Sequence, residues 1–372
     1  MIKKITLFFL VLLSSVALSQ NQQLSKESEV SIFTCDRGAE LYSTFGHTAL
    51  RIKDPLNALD VVYNYGYFDF RTENFYLKFV KGDLQYFMNV TSYDDFVFEY
   101  KLDRREVIEQ TLKLPLYKKQ ELFEALNKSL LSDERYYTYK FIHRNCTTMI
   151  VDKINGLYGK KEIQKVDDKS ISYRTLLYPY FENYFWYKLG INIVFGAKTD
   201  QKATQLFLPI ELLHSLDKAK IDGKPIVTNK QTVVEGDSIQ PKFSFFNSIY
   251  LIVVLLLVLL VINRRPLFIS YLFLCGLMGV FLCLIGLYSE HVELLWNYNT
   301  LLFNPLFILI PFASDNFLKK LNLAGLILLL LYFIIMITKS HLMIMLPFIV
   351  ANLYILLCFN GRNPLKLLAF KK

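Results

Sequence analysis

The side chains most capable of chemistry in this 372-residue sequence surround one cysteine, Cys146, in the stretch YKFIHRNCTTMIVDKI. Its neighbours His143, Arg144, Asn145 and Thr147 are polar, whereas structural cysteines are usually buried among apolar residues. The pattern predicts a helix that begins at Cys146, with Asn145 as its N-cap. A thiol in the first turn of a helix lies near unpaired backbone N–H groups and the positive end of the helix dipole, which stabilise a thiolate. Cys146 is therefore a candidate nucleophile.

A thiol nucleophile also needs a base, and the sequence contains five histidines. His143 is the closest to the cysteine in sequence, but it precedes the predicted helix. His47 lies in the stretch STFGHTALRI, at the predicted start of a strand and directly after Gly46, which permits close approach of the backbone. Arg51 shares one face of this strand with His47. Spacing alone favours His47 only slightly, so both histidines remain candidates.

Cys146 could instead have a structural role. The chain has five cysteines, of which Cys275, Cys283 and Cys358 fall within apolar segments and are expected to be core residues. The remaining cysteine, Cys35, could form a disulfide with Cys146 in an oxidising compartment. A zinc site has less support because no C-x-x-C or H-x-x-x-H spacing is present. We expect neither a metal nor a cofactor.

The residues around these candidates predict a mixed α and β domain. EVSIFTC, HTALRIKD and DVVYNYGYF alternate polar and apolar residues as half-buried strands do. LYKKQELFEALNKSLL has apolar residues at helical spacing, and CTTMIVDKINGLYG predicts a helix that ends at Gly156 or Gly159. We assign residues 20–242 to this domain. The preceding residues 1–19 have two lysines, an apolar run and small residues before Gln20, which predicts an export signal.

The remaining residues, 243–372, are predicted to form an all-α transmembrane domain. We predict five helical spans, at approximately 244–262, 267–288, 296–313, 321–338 and 342–359. This third of the chain contributes +6 of the formal net charge of +9, so the basic balance reflects membrane topology and indicates no nucleic-acid partner. The breaks after the odd-numbered spans carry the following basic residues: Arg264, Arg265, Lys319, Lys320, Arg362, Lys366, Lys371 and Lys372.

Positive breaks stay in the cytoplasm, so the charge pattern predicts the orientation of the chain in the membrane. The soluble domain and the breaks after the second and fourth spans should lie outside the cytoplasm. The C-terminus should lie in the cytoplasm, which agrees with an exported N-terminus and an odd number of spans.

The combination of motifs resembles a known family. A histidine in FGHTALRI, followed about a hundred residues later by NC at the start of a helix, is similar to the permuted papain-like arrangement of lecithin:retinol acyltransferase-type enzymes. Together with TCDRGAELYSTFGHTALRI, YNYGYFDF, RNCTT and HVELLWNYNTLLFNPL, it resembles the Lnb-type lipoprotein N-acyltransferases of Bacteroidetes-like bacteria. The fold implied is an α+β permuted papain-like exported domain followed by a five-helix transmembrane domain.

This resemblance implies a thiol acyltransferase that uses a phospholipid as acyl donor and a diacylated lipoprotein as acceptor. Cys146 would be the nucleophile, His47 the general base, and Asn64 the residue that orients the imidazole. Substrate contacts are expected from the following residues: Arg51, His143, His291, Asn297, Asn299 and Asn304. The alternatives are a papain-like cysteine hydrolase or peptidase of the envelope, and a noncatalytic membrane scaffold with a Cys35–Cys146 disulfide.

Overall fold

The structure, a computed structural model, describes residues 22–237 and 242–359. The predicted signal peptide and the four basic residues nearest the C-terminus lie outside the described residues. Within the described part of the chain, an N-terminal domain built on a β-sheet is followed by a group of apolar helices.

The described part of the N-terminal domain contains nine strands. They are β1 (Glu29–Cys35), β2 (His47–Asp54), β3 (Leu59–Tyr67), β4 (Gln85–Ser92), β5 (Val107–Leu112), β6 (Tyr136–Thr138), β7 (Lys220–Ile221), β8 (Lys224–Pro225) and β9 (Val227–Val234). Seven of them form one antiparallel sheet in the order β6-β4-β3-β2-β1-β5-β9, and β7 and β8 form a small hairpin. The strands predicted from alternation are therefore confirmed, and β2 begins at His47.

The described α-helices number eleven. They are α1 (Phe75–Lys81), α2 (Tyr93–Leu102), α3 (Leu116–Leu130), α4 (Cys146–Gly156), α5 (Tyr173–Leu176), α6 (Phe185–Val194), α7 (Pro209–Lys218), α8 (Ile249–Ile262), α9 (Arg265–Tyr288), α10 (Asp315–Met336) and α11 (Leu342–Phe359). The predicted helix that starts at Cys146 is confirmed, and it ends at Gly156.

The two faces of the sheet pack against different helices because side chains alternate along each strand. One face carries Leu50 and Tyr63 and packs against α3, α4 and α7, which contribute apolar residues such as Ile150. The opposite face carries Phe33 and Ala49 and packs against α2. Both layers exclude water from the middle of the sheet, so the ends of β2 and β3 are held at fixed positions.

Three of the described helices, α9, α10 and α11, are long and apolar enough to cross a membrane. Helix α8 is apolar but has only 14 residues, which corresponds to about 21 Å and is less than the thickness of a bilayer core. The predicted third span, 296–313, is not an α-helix but contains two short 3-10 helices, Tyr298–Thr300 and Pro305–Phe312. The predicted count of five helical spans is therefore not confirmed.

The irregular backbone of this third segment packs directly against α9. A Cβ atom placed on Gly279 would lie 1.8 Å from the backbone oxygen of Phe303, so only glycine allows this approach. Asparagine side chains supply hydrogen bonds that an α-helix would have made internally. Asn352 in α11 donates to the backbone oxygen of Leu302 at 2.9 Å, and the side-chain oxygen of Asn304 accepts from the N–H of Leu306 at 3.0 Å.

The breaks after the second and fourth predicted spans both contact the N-terminal domain. Ser289 donates to the backbone oxygen of Val80 at 2.6 Å, and Lys339 lies 3.6 Å from the carboxylate of Asp200. These contacts place both breaks on the same side of the apolar helices as the N-terminal domain, as the charge pattern predicts.

Candidate active site

Cys146 is the first residue of α4, and its position is fixed by a capping box. The N–H of Thr148 donates to the side-chain oxygen of Asn145 at 3.0 Å, and the N–H of Asn145 donates to the hydroxyl of Thr148 at 2.8 Å. The side-chain amide of Asn145 also donates to the backbone oxygen of Phe207 at 2.9 Å. The predicted N-cap is confirmed, and it holds the thiol at the helix end where the backbone N–H groups are unpaired.

His47 stands at the first position of β2, where the turn before it requires glycine. Gly46 has a φ of +77°, and a Cβ atom there would lie 2.5 Å from the backbone oxygen of Cys35. The Nε2 atom of His47 lies 3.2 Å from Oδ1 of Asn64, whose side chain is buried. An amide oxygen can only accept, so Nε2 carries the proton and Nδ1 is left for the thiol.

Asn64 is held by its own hydrogen bond and by the shape of β3. Its amide donates to the backbone oxygen of Val62 at 3.2 Å, which fixes the direction of Oδ1. The pairing of β3 with β4 shifts register between Asn64 and Tyr67. In this bulge a Cβ atom on Gly66 would lie 3.9 Å from the Cβ of Cys146. The strand that carries Asn64 therefore also reaches the cysteine.

The environment of Cys146 favours its ionised form. Burial alone would raise the pKa of Cys146, but the charge of His47 and a hydrogen bond from His47 oppose this, together with the backbone N–H of Thr48 and the hydroxyl of Thr147. The net effect lowers the pKa below that of an ordinary thiol. A histidine, an orienting asparagine and a cysteine of lowered pKa can together form and break an acyl thioester.

Cys35 differs from Cys146 in its environment. Cys35 is fully buried, and burial raises the pKa of its thiol to about 12. Both cysteines are free thiols, so the alternative in which a Cys35–Cys146 disulfide stabilises the domain has no support in the structure. Among residues 22–237 and 242–359, no group of three His, Cys, Asp or Glu side chains could hold a metal ion.

Arg51 lies on the same strand as His47 but is not brought to the thiol. Its guanidinium forms a bidentate ion pair with Asp60 at 2.6 Å and 2.7 Å, and a second ion pair with Glu109 at 3.0 Å. It also stacks on the ring of Tyr93. Four residues of extended strand separate Arg51 from His47 by about 13 Å. These contacts give Arg51 a structural role in the sheet rather than a place beside a substrate.

The two other predicted histidine contacts have different positions. His143 is exposed in the turn before α4. His291 lies in the break between α9 and the third segment, where Nε2 is 2.9 Å from the backbone oxygen of Phe79. His291 thus connects the apolar helices to α1 and does not reach Cys146.

The predicted asparagine contacts stabilise the junction between the two parts of the chain. The amide of Asn297 donates to the backbone oxygen of Val194 at 2.8 Å, near the end of α6. Asn299 is buried, donates to the backbone oxygen of Asn192 at 2.8 Å and accepts from Tyr332 at 2.8 Å. Asn304 is buried in the third segment, and its amide nitrogen has no partner among the described residues. None of the three is brought beside the thiol.

Two residues of the site were not predicted from the sequence. Thr48 contributes its backbone N–H to the environment of Cys146, and its hydroxyl lies 2.9 Å from the hydroxyl of Thr147. This contact fastens the start of α4 to the start of β2. The adjacency of Thr48 to His47 and of Thr147 to Cys146 was the only signal for it in the sequence.

Residues 17–178 match the model of a family described as the Lnb N-terminal periplasmic domain. The matched range contains His47, Asn64 and Cys146, so the three residues that the structure brings together belong to one family domain. The predicted resemblance to Lnb-type proteins is thereby confirmed for the N-terminal domain, whereas the permuted papain-like arrangement stays a prediction. No curated protein and no solved structure matched the chain.

Proposed function

The chain carries an Lnb-type periplasmic domain, and from this premise we propose that it is a lipoprotein N-acyltransferase of the bacterial inner membrane. It would move an acyl chain from a phospholipid, through a thioester on Cys146, to the α-amino group of a diacylglyceryl-cysteine lipoprotein. The observation that carries the proposal is the position of Cys146 at the capped start of α4, together with a His47 imidazole that Asn64 holds at 3.2 Å, in a chain with three helices long and apolar enough to cross a membrane.

In the first half-reaction, the thiolate of Cys146 attacks the ester carbonyl carbon of the phospholipid. A C–S bond forms, the ester C–O bond breaks, and His47 donates its proton to the departing lysophospholipid oxygen. The backbone N–H groups at the start of α4 stabilise the negative charge on the carbonyl oxygen. Asn64 accepts from Nε2 and keeps Nδ1 directed at the sulfur.

In the second half-reaction, the α-amine of the acceptor attacks the thioester carbon. A C–N bond forms, the C–S bond breaks, the sulfur leaves as a thiolate, and His47 takes the proton that the amine nitrogen loses. This order requires both lipids to reach one thiol, and apolar helices beside the periplasmic domain would let their acyl chains remain in the membrane. The basic residues that follow the odd-numbered predicted spans support a cytoplasmic C-terminus.

The decisive experiment compares lipoproteins from cells with and without the protein. Mass spectrometry of an N-terminal lipopeptide should show a free amine and two acyl chains in the deletion strain, and a third, amide-linked chain after complementation. Complementation with Cys146→Ala should fail, whereas His143→Ala, an exposed histidine close to the thiol in sequence, should succeed. Unchanged N-acylation in a deletion strain without a second such enzyme would favour a papain-like hydrolase.

A further inference from the structure

Helix α1 and the loop before it expose an apolar surface at the end of the sheet that carries the candidate active site. The exposed side chains are those of Phe70 in the loop and of Tyr76, Leu77, Phe79 and Val80 in α1. We call these five residues the α1 patch. At about 100° per residue, the four helical side chains form one continuous face of α1, and no charged residue lies between them. An exposed apolar surface of this kind indicates a binding partner or a membrane.

The last turn of α1 is bonded to the residues that follow α9. The N–H of Glu290 donates to the backbone oxygen of Lys81 at 2.7 Å, and Nε2 of His291 lies 2.9 Å from the backbone oxygen of Phe79. Gly82 directly follows α1, and a Cβ atom there would lie 3.0 Å from the ring of His291, so the junction is closely packed. These contacts hold α1 at the level where α9 ends.

The end of α9 marks the surface of the membrane that this helix would cross. With 24 residues, α9 is about 36 Å long and exceeds the hydrocarbon core of about 30 Å, so its last turn reaches the headgroup region. That turn ends at Tyr288, an exposed aromatic residue of the type enriched at membrane interfaces. Leu284 and Leu287 are also exposed, so the lipid-facing surface of α9 continues up to α1. Helix α1 has only seven residues, so each of its side chains stays within about 10 Å of this level.

A row of aromatic rings connects the α1 patch to the strand beside Cys146. Phe68 comes two residues after Gly66, where a Cβ atom would lie 3.9 Å from the Cβ of Cys146. The ring centroids of Phe68 and Phe70 are 5.0 Å apart, and those of Phe70 and Phe75 are also 5.0 Å apart. Phe68 and Cys146 pack against the same apolar core. The patch and the thiol therefore belong to one closely packed end of the domain, so the surface that binds the patch also sets the position of Cys146.

We propose that the α1 patch is inserted into the bilayer leaflet on the side of the N-terminal domain, where it contacts phospholipid acyl chains and holds the Cys146 end of the sheet against the membrane. The patch adjoins the lipid-facing side of α9, and this continuity selects lipid over a protein partner. Lys78 lies on the opposite face of α1 and Lys81 at the edge of the patch, so α1 is amphipathic, as helices in a membrane interface are. Insertion is independent of the proposed acyltransferase function, but its effect on acylation rests on that function.

The first test detects lipid at the patch, with the full chain in phospholipid nanodiscs. The photocrosslinking residue benzoylphenylalanine replaces either Leu77, which is 59% exposed, or Leu56, which is 73% exposed in the turn between β2 and β3. Strand β3 has nine residues and separates this turn from the site by about 30 Å, so Leu56 is a matched control at the opposite end of the sheet. After illumination, mass spectrometry should find a phospholipid adduct at position 77 and none at position 56. Equal adducts at both positions, no adduct at position 77, or a crosslink from position 77 to a second copy of the chain would overturn the proposal.

The second test measures whether insertion positions the thiol for a donor in the bilayer. With nanodisc phospholipid as donor, thioester formation on Cys146 should fall about 10-fold or more in Leu77→Glu, because moving one large apolar side chain out of lipid shifts an equilibrium by at least about that factor. A short-chain phospholipid, dissolved below its micelle concentration, should acylate Cys146 equally fast in wild type and in Leu77→Glu. Leu56→Glu, the same change at the opposite end of the sheet, should match wild type with both donors.

The two donors give the outcomes distinct meanings. Equal losses with both donors in Leu77→Glu would overturn the positioning role, since Leu77 would then stabilise the site itself. An unchanged rate with the nanodisc donor would overturn it as well. If wild-type protein formed no thioester from either donor, the acyltransferase function would fail, whereas a lipid adduct at position 77 would still establish insertion of the patch.

Discussion

Replacing His47 by alanine should raise the pKa of Cys146. In the folded protein, burial and His47 act on the thiol in opposite directions, and His47 with its neighbours outweighs burial. Two unit charges about 4 Å apart interact by about 4 kcal/mol at the effective dielectric constant of a protein surface. Removing the imidazole leaves burial as the larger of the remaining influences. The pKa of Cys146 should then move above that of an ordinary thiol.

The other buried cysteine of the domain indicates the size of this rise. Burial raises the pKa of Cys35 to about 12, whereas Cys146, beside His47, is shifted in the opposite direction. A rise of about one to three pKa units in His47→Ala would correspond to about 1.4 to 4 kcal/mol. At pH 7 the thiolate fraction should therefore fall by about 10- to 1,000-fold.

The assay is the rate of alkylation of Cys146 by iodoacetamide as a function of pH, with the modified cysteine identified by mass spectrometry. Alkylation follows the thiolate, so its midpoint should move to higher pH in His47→Ala. His143→Ala changes the exposed histidine near the thiol and should leave the midpoint in place. A midpoint that is the same in His47→Ala and wild type would refute the assignment of His47 as the base.

Three further outcomes follow from the described contacts. Asn64→Ala should lower kcat/KM in the transfer assay about 10- to 100-fold, because it removes a hydrogen bond to the imidazole of His47, which becomes charged during the reaction. Asn89→Ala, the same change at the paired position of β4, should have little effect in that assay. Cys35→Ala should keep most of the activity, and peptide mapping at pH 7.5 should find iodoacetamide on Cys146 and not on Cys35, because the Cys35 thiol stays neutral. Gly279→Ala should destabilise the apolar domain by about 1–3 kcal/mol through overpacking, and thermal unfolding in detergent would measure this loss. Gly286→Ala should leave the stability unchanged, because a Cβ atom there would lie 4.0 Å from its nearest neighbour, the backbone oxygen of Leu294.

Much of the site could be predicted from local patterns. Alternating residues indicated β2 and β3, and Asn145 before Cys146 indicated the helix start, because caps and strand faces depend on neighbours in sequence. The choice between His47 and His143 could not be made from spacing, since it depends on how β2 packs beside α4. The ion pairs of Arg51 with Asp60 and Glu109 could not be predicted either, because they depend on how neighbouring strands pair in the sheet.

The third apolar segment shows where hydropathy fails. Hydropathy depends on the side chains and carries no information about backbone hydrogen bonds. Residues 296–313 are as apolar as the other predicted spans, so they were predicted to be helical as well. Pro305 lacks an N–H, and Asn304 before it directs its side chain to the N–H of Leu306, which favours a 3-10 helix.

The 3-10 helix of the third segment has a consequence for the order of biosynthesis. Backbone groups without partners cost several kcal/mol each in hydrocarbon, so this segment cannot settle in the membrane by itself. The backbone oxygen of Leu302 receives its hydrogen bond from Asn352, a residue made 50 positions later, and Asn299 receives one from Tyr332. The segment therefore reaches its final place only after α10 and α11 have left the ribosome. A chain that stops before Asn352 should be recognised as incomplete by membrane proteases.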